Sequence, residues 1–109
     1  MKINLLPMRT DETLEVRRNG AVLFINDEGF DFSRMADGDT LPASAIKSRW
    51  FTGQVDHVNG GLEVTLVLPL PANYSPEQAS PQPIAVLADG PISLPQPLHE
   101  EPNEEVASQ

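Results

Sequence analysis

Few residues in this chain can do acid–base or metal chemistry. Its only histidines are His57 and His99, and it has no Cys. Asp56 and His57 are adjacent in sequence. On a strand, successive side chains point to opposite faces, so the two do not make the orienter and base of a catalytic triad. Two widely separated histidines without a thiolate do not make a zinc site. Asp37-Gly38-Asp39, and the group Asp27, Glu28 and Asp31, have the acid density of a calcium loop. They lack its spacing and terminal Glu, and read as solvated turn acids. No glycine-rich phosphate loop or nucleophile elbow is present. Nothing singles out two of the acids as a catalytic pair. The expectation is a protein that is not an enzyme, with no catalytic residue, no metal and no cofactor.

Side chains able to hold a partner are easier to find. Trp50 and Phe51 are adjacent and, on a strand, face opposite ways. Either one ring packs in the core with the other partly covered, or one is an interface anchor of the kind enriched at interaction hot spots. Further along, Tyr74, an apolar island containing Ile84, Val86 and Leu87, and then Ile92 and Leu94 are spaced among prolines. These eight residues are the candidate partner-binding set.

The elements that must position them are short strands. Ile3–Leu6 reads as a strand stopped by Pro7, which has no N–H to give a ladder. Residues 13–18 alternate, with Leu14 and Val16 on one side. Asn19-Gly20 predicts a type I′ hairpin turn into strand 21–26. Asp27-Glu28-Gly29 predicts a second turn, and Phe30-Asp31-Phe32 a strand with both rings on one face. Pro42–Ile46 suits one helical turn. Strand 50–58 is interrupted at Gly53, where a bulge is expected. After an Asn59-Gly60-Gly61 turn, Leu62, Val64, Leu66 and Leu68 share one face, expected to be buried with Val22 or Phe24. No stretch has a sustained helical period, so residues 1–68 are expected to form an all-β head, a small antiparallel meander or sandwich of five or six strands.

The character of the chain changes at Pro69. All of the 11 prolines except Pro7 and Pro42 lie at or beyond it, and none of the 7 Lys and Arg residues does. Residues 69–98 therefore read as an extended proline-rich arm. One strand is expected at 84–88, added either to this head's own sheet or to a neighbour's. Residues 99–109 form an acidic tail expected to be disordered unless bound. A head this small buries only about 60% of the surface its unfolded chain exposes. Without disulfides, oligomerisation or docking is the expected support. The formal net charge of −9 would be repelled by a phosphate backbone and by anionic membrane. No nucleic-acid binding or membrane insertion is expected, and no cleavable leader is evident.

Several strings together resemble a known family: Met1-Lys2-Ile3-Asn4-Leu5-Leu6-Pro7-Met8-Arg9, Gly29-Phe30-Asp31-Phe32-Ser33, Asp39-Thr40-Leu41-Pro42 with Ala45-Ile46, Trp50-Phe51 followed by Gly53, Asn59-Gly60-Gly61-Leu62, and Ala88-Asp89-Gly90-Pro91. The pattern is similar to small uncharacterised proteins encoded in the tail-tip and tail-fibre gene modules of tailed bacteriophages and prophages of Gram-negative bacteria. It spans residues 1 to about 95 and contains no catalytic motif. The resemblance implies a virion (phage tail) component made in the host cytoplasm, with other phage tail proteins as partners in a homo- or hetero-oligomeric assembly. Its expected role is as a structural or accessory protein of the tail tip or baseplate. A tail-fibre assembly chaperone is the alternative, followed by an acidic host-modulating inhibitor.

Overall fold

A computed structural model describes residues 1–98. Nine strands form two sheets: β1 (Lys2–Arg9), β2 (Val16–Asn19), β3 (Val22–Ile25), β4 (Glu28–Asp31), β5 (Thr40–Leu41), β6 (Val55–Val58), β7 (Gly61–Leu70), β8 (Ile84–Ala85) and β9 (Gly90–Pro91). A 3-10 turn at Ala43–Ala45 and one short helix, α1 (Pro76–Ala79), complete the elements. The first sheet has the order β5-β6-β7-β1-β8 and the second β4-β3-β2-β9. The fold is all-β, as the strand periodicity implies.

The three hairpin turns set the local geometry. β6 and β7 close through the expected turn at Asn59 and Gly60, whose φ values of 52° and 80° make it type I′. The β2–β3 loop is centred one residue later than expected. Asn19 pairs with Val22, so Gly20 and Ala21 are the central residues, and only Gly20 has a positive φ, 60°. That is a type II′ turn, which needs glycine at its first central position alone. The next turn moves the other way. Ile25 pairs with Glu28, leaving Asn26 and Asp27 at φ 49° and 70°, a type I′ turn without glycine. Glu28 and Gly29 therefore belong to β4.

The pairing of β3 with its neighbours shows which of its side chains face inward. Leu23 and Ile25 are the fully buried residues of β3, while Val22 and Phe24 are only half-buried on the other face. The expectation of a buried Val22 or Phe24 is corrected: the pairs Val16–Ile25 and Leu23–Phe30 put the odd-numbered residues of β3 on the inward face of its neighbours. Leu62, Val64, Leu66 and Leu68 are buried along β7 as expected, and Ile3, Val16, Val55 and Phe51 complete much of the inner layer. Phe30 and Phe32 both meet Phe51 edge-on, with centroids 4.9 and 5.9 Å away. The bulge expected at Gly53 is present: its φ is 78°, and Phe51 bridges to Leu66 before β6 begins at Val55.

Two expectations about proline are corrected. β1 runs through Pro7 to Arg9, paired in parallel with β7 over its whole length. Met1 and Val86 exchange main-chain bonds of 3.2 and 2.7 Å, whereas the Thr10 N–H donates to the Leu70 carbonyl at 3.1 Å. Odd-numbered residues of β1 thus turn their polar groups away from β7. The nitrogen of Pro7 falls on that side, beyond Ile3, where β8 has already ended. β7 likewise continues through Pro69. Its odd-numbered residues face the β6 side, where the last bond is from the Val67 N–H to the Trp50 carbonyl at 2.8 Å. Neither proline removes a bond that a partner could make.

Residues 69–98 accordingly lie back on the head. β8 adds to β1 with Ile84 opposite Ile3, and β9 adds to β2 with Gly90 opposite Arg18. The apolar island closes its own sheet in this chain, and only Ile84–Ala85 of the expected 84–88 is strand. The connecting stretch contains α1, begun by a full capping box in which Ser75 and Gln78 bond each other's backbone, both buried. The acidic stretch 99–109 lies outside the described residues.

If β8 and β9 are part of the core, a chain truncated after Pro83 should lose its cooperative thermal transition, since Ile3 and Val16 would be uncovered. A truncated head that melts at the full-length temperature would contradict this placement.

Candidate docking surface

The outer face of the first sheet divides into a polar and an apolar half. Parallel register sets Lys2 beside Glu63, Asn4 beside Thr65, Leu6 beside Val67 and Met8 beside Pro69. At the polar end, Asn4 Nδ2 donates to Glu63 Oε2 at 2.9 Å, with the Lys2 ammonium 3.9 Å from the same oxygen. At the apolar end, Leu6 and Met8 are 46% and 50% exposed. The bridge of Phe51 to Leu66 places Trp50 beside Val67 on this face. Leu6, Val67 and Trp50 thus line up across three strands, with Met8 and Pro69 in the next row. Val67 and Pro69 are buried, so the apolar surface offered there is that of Leu6, Met8 and half-buried Trp50, a patch of the kind that marks an interaction surface.

Trp50 is half-buried and held in place. The Ser48 hydroxyl accepts from its backbone N–H at 3.1 Å, and the Arg49 guanidinium lies 4.8 Å from its ring centroid. Arg49 also pairs with Glu12. That hydrogen bond holds the Glu12 carboxyl below the usual carboxylate range. An aromatic ring fixed at the surface by a cation, and already short of rotamer freedom, costs little to immobilise on binding.

A second feature is a cleft of about 510 Å³ beside β2 and β9, whose lining includes Leu14, Arg17, Phe24, Ile92 and Leu94 together with Glu15 and Asp27. The Arg17 guanidinium stacks 4.1 Å above the Phe24 ring.

The eight candidate residues are therefore dispersed. Trp50 belongs to the outer strip, and Ile92 and Leu94 to the cleft. Phe51 is 6% exposed and spent on Phe30 and Phe32, so it is a core residue. Val86 is buried and Ile84 half-buried at the edge of β1. Leu87 is 90% exposed at the tip between β8 and β9, and Tyr74 is 47% exposed before α1. Leu6 and Met8 were not among the candidates, because ending β1 at Pro7 hid their alternation with Ile3, Leu5 and Pro7.

His57 is half-buried, with Nδ1 3.3 Å from Asp37 Oδ1. Asp37 also accepts the Gly60 N–H at 3.0 Å. That backbone bond first, and His57 second, hold its carboxyl below the usual carboxylate range. Asp56 turns the other way, accepting from the Thr40 hydroxyl at 2.7 Å. Among the described residues no three His, Cys, Asp or Glu side chains stand close enough together to hold a metal ion, and no helix is long and apolar enough to cross a membrane.

No family model, curated protein or solved structure matches the chain.

A carboxylate whose folded pKa is depressed stabilises the fold above its unfolded value, and that contribution disappears as pH falls through the lowered one. Asp37→Asn should therefore lower the urea midpoint at neutral pH. The difference from the native chain should vanish in acid below the usual carboxylate range. A difference that persists there would show that Asp37 does not act through its charge.

Proposed function

We propose that this protein is a small β docking module of a bacteriophage tail, a structural or accessory component of the tail tip or baseplate. The observation that carries the docking reading is the pair of exposed side chains Leu6 and Met8 with half-buried Trp50 on the outer face of the first sheet. The tail assignment is supported by the sequence resemblance over residues 1 to about 95. Docking through this face leaves the hydrogen bonding of both sheets intact and desolvates side chains that carry no charge. The partner is another tail protein presenting a complementary apolar surface.

Purified virions and their assembly intermediates separate a permanent component from a transient assembly chaperone. A component is found by mass spectrometry in finished particles; a chaperone is found only in intermediates; absence from both would overturn the reading.

Trp50→Ala should weaken association with co-purified tail proteins by about 2 kcal/mol or more, roughly 30-fold in Kd, while the monomer keeps its thermal transition. Phe51→Ala should instead cost about 3–5 kcal/mol of folding stability. Equal loss of stability in both variants would remove Trp50 from the interface.

A further inference from the structure

The stretch from Ile84 to Ile92 is held by bonds that any copy of the chain could supply. Val86 exchanges main-chain bonds with Met1, and its carbonyl also accepts from Arg18 Nη1 at 3.1 Å. Asp89 Oδ1 accepts the Gly20 N–H at 2.8 Å, and the Ile92 N–H donates to the Val16 carbonyl at 2.9 Å. If this stretch departs, the buried side chains of Ile3 and Val16 lose their cover, so the seat needs an occupant. We propose that residues 84–94 exchange between copies of this chain, the segment of one protomer seated on β1 and β2 of another.

The connector has the length for it. Leu70 lies level with Arg9 on one side of β1, and Ile84 lies level with Ile3 on the other. Six residues along the sheet at roughly 3.3 Å and two strand spacings of about 4.8 Å give a span within one chain of about 22 Å. Residues 71–83 supply about 14 steps of roughly 3.1 Å when extended, a reach of about 43 Å. The excess is gathered in by α1 and by bonds of Asn73 to Leu98 and of the Ser75 hydroxyl to the Gln96 carbonyl at 2.6 Å. A four-residue helix has little stability of its own, so releasing it costs little. Pro71, Pro76, Pro81 and Pro83 already bias the freed connector toward the extended form. Exchange then replaces each contact of residues 84–94 with an identical one, at the cost of α1 and of the Asn73 and Ser75 bonds, and such replacement is the condition under which swapped assemblies are accessible.

The test uses the absence of Cys from the chain. Lys2 and Ala85 are directly opposed and exposed. They neighbour the hydrogen-bonded Met1–Val86 pair, so they form a non-hydrogen-bonded pair with Cα atoms about 4.5 Å apart, within disulfide reach. Lys2→Cys and Ala85→Cys chains, distinguished by mass, are mixed, unfolded, refolded together at high concentration and oxidised. Exchange predicts a mixed disulfide dimer in excess of the two homodimers combined. Homodimers at least as abundant, or no covalent dimer, overturn the proposal. The double variant shows in parallel that the seat forms: its disulfide should close within one chain at high dilution and between chains at high concentration. Closure within one chain at every concentration overturns the proposal as well. No tail protein takes part, so the result is independent of the docking reading.

Discussion

The peptide group of Val86 carries a constraint on which the rest of the molecule depends. Its N–H and carbonyl are taken by Met1, and the carbonyl also receives Arg18, so one residue is tied to the first strand of each sheet. Three residues later Asp89 caps the Gly20 turn, and β9 follows on the second sheet. A short stretch of chain thus fixes the separation and orientation of the two layers whose inner faces make the core. Without a disulfide to hold them, this closure does the work that a covalent link does in other small domains.

The edges of the sheets follow a common pattern. β5, β8 and β9 are two residues long, and β9 ends in Pro91. The part of β1 that β8 leaves uncovered has the nitrogen of Pro7 on its open side, followed by charged Arg9. Short strands, proline and charge are the usual means of keeping an edge from recruiting another strand. Main-chain pairing with a foreign strand is thereby discouraged at most edges. The exposed side chains of Leu6 and Met8, and half-buried Trp50, lie instead on one sheet face. Contact there can be made and broken without disturbing a ladder.

Much of the architecture was legible because turns and alternation are local. Asn59-Gly60 and the Leu62–Leu68 face follow from the chemistry of a few consecutive residues, as does the expectation that Trp50 and Phe51 part to opposite faces, though not that Phe51 is the core member. What was illegible depends on distant neighbours. Proline is forbidden in a strand only where a partner awaits its N–H. Whether one does at Pro7 or Pro69 depends on where β8 and the Trp50 stretch end. Reading both prolines as stops shortened β1, concealed Leu6 and Met8 from the candidate site and cast residues 69–98 as an arm. The Asn19-Gly20 signal located its hairpin but not its centre. The displacement moves each partner by two residues, from Leu23 to Ile25 opposite Val16, and so leaves the inward face of β3 unchanged.

The parallel union of β1 with β7 also has a consequence for the time course of folding. Lys2 meets Glu63, and Ile3 meets Ile84, so the strand made first is among the last to be satisfied. During synthesis the β2–β3–β4 meander can close as soon as it leaves the ribosome, because its contacts are local. β1 must wait unpaired, its run of Ile3, Leu5 and Leu6 open to solvent, until some seventy residues have emerged. At roughly 5–20 residues per second that wait lasts several seconds. Non-local pairing of this sort folds slowly as well. β1 is thus the stretch most exposed to chaperone capture and to misassociation on crowded polysomes.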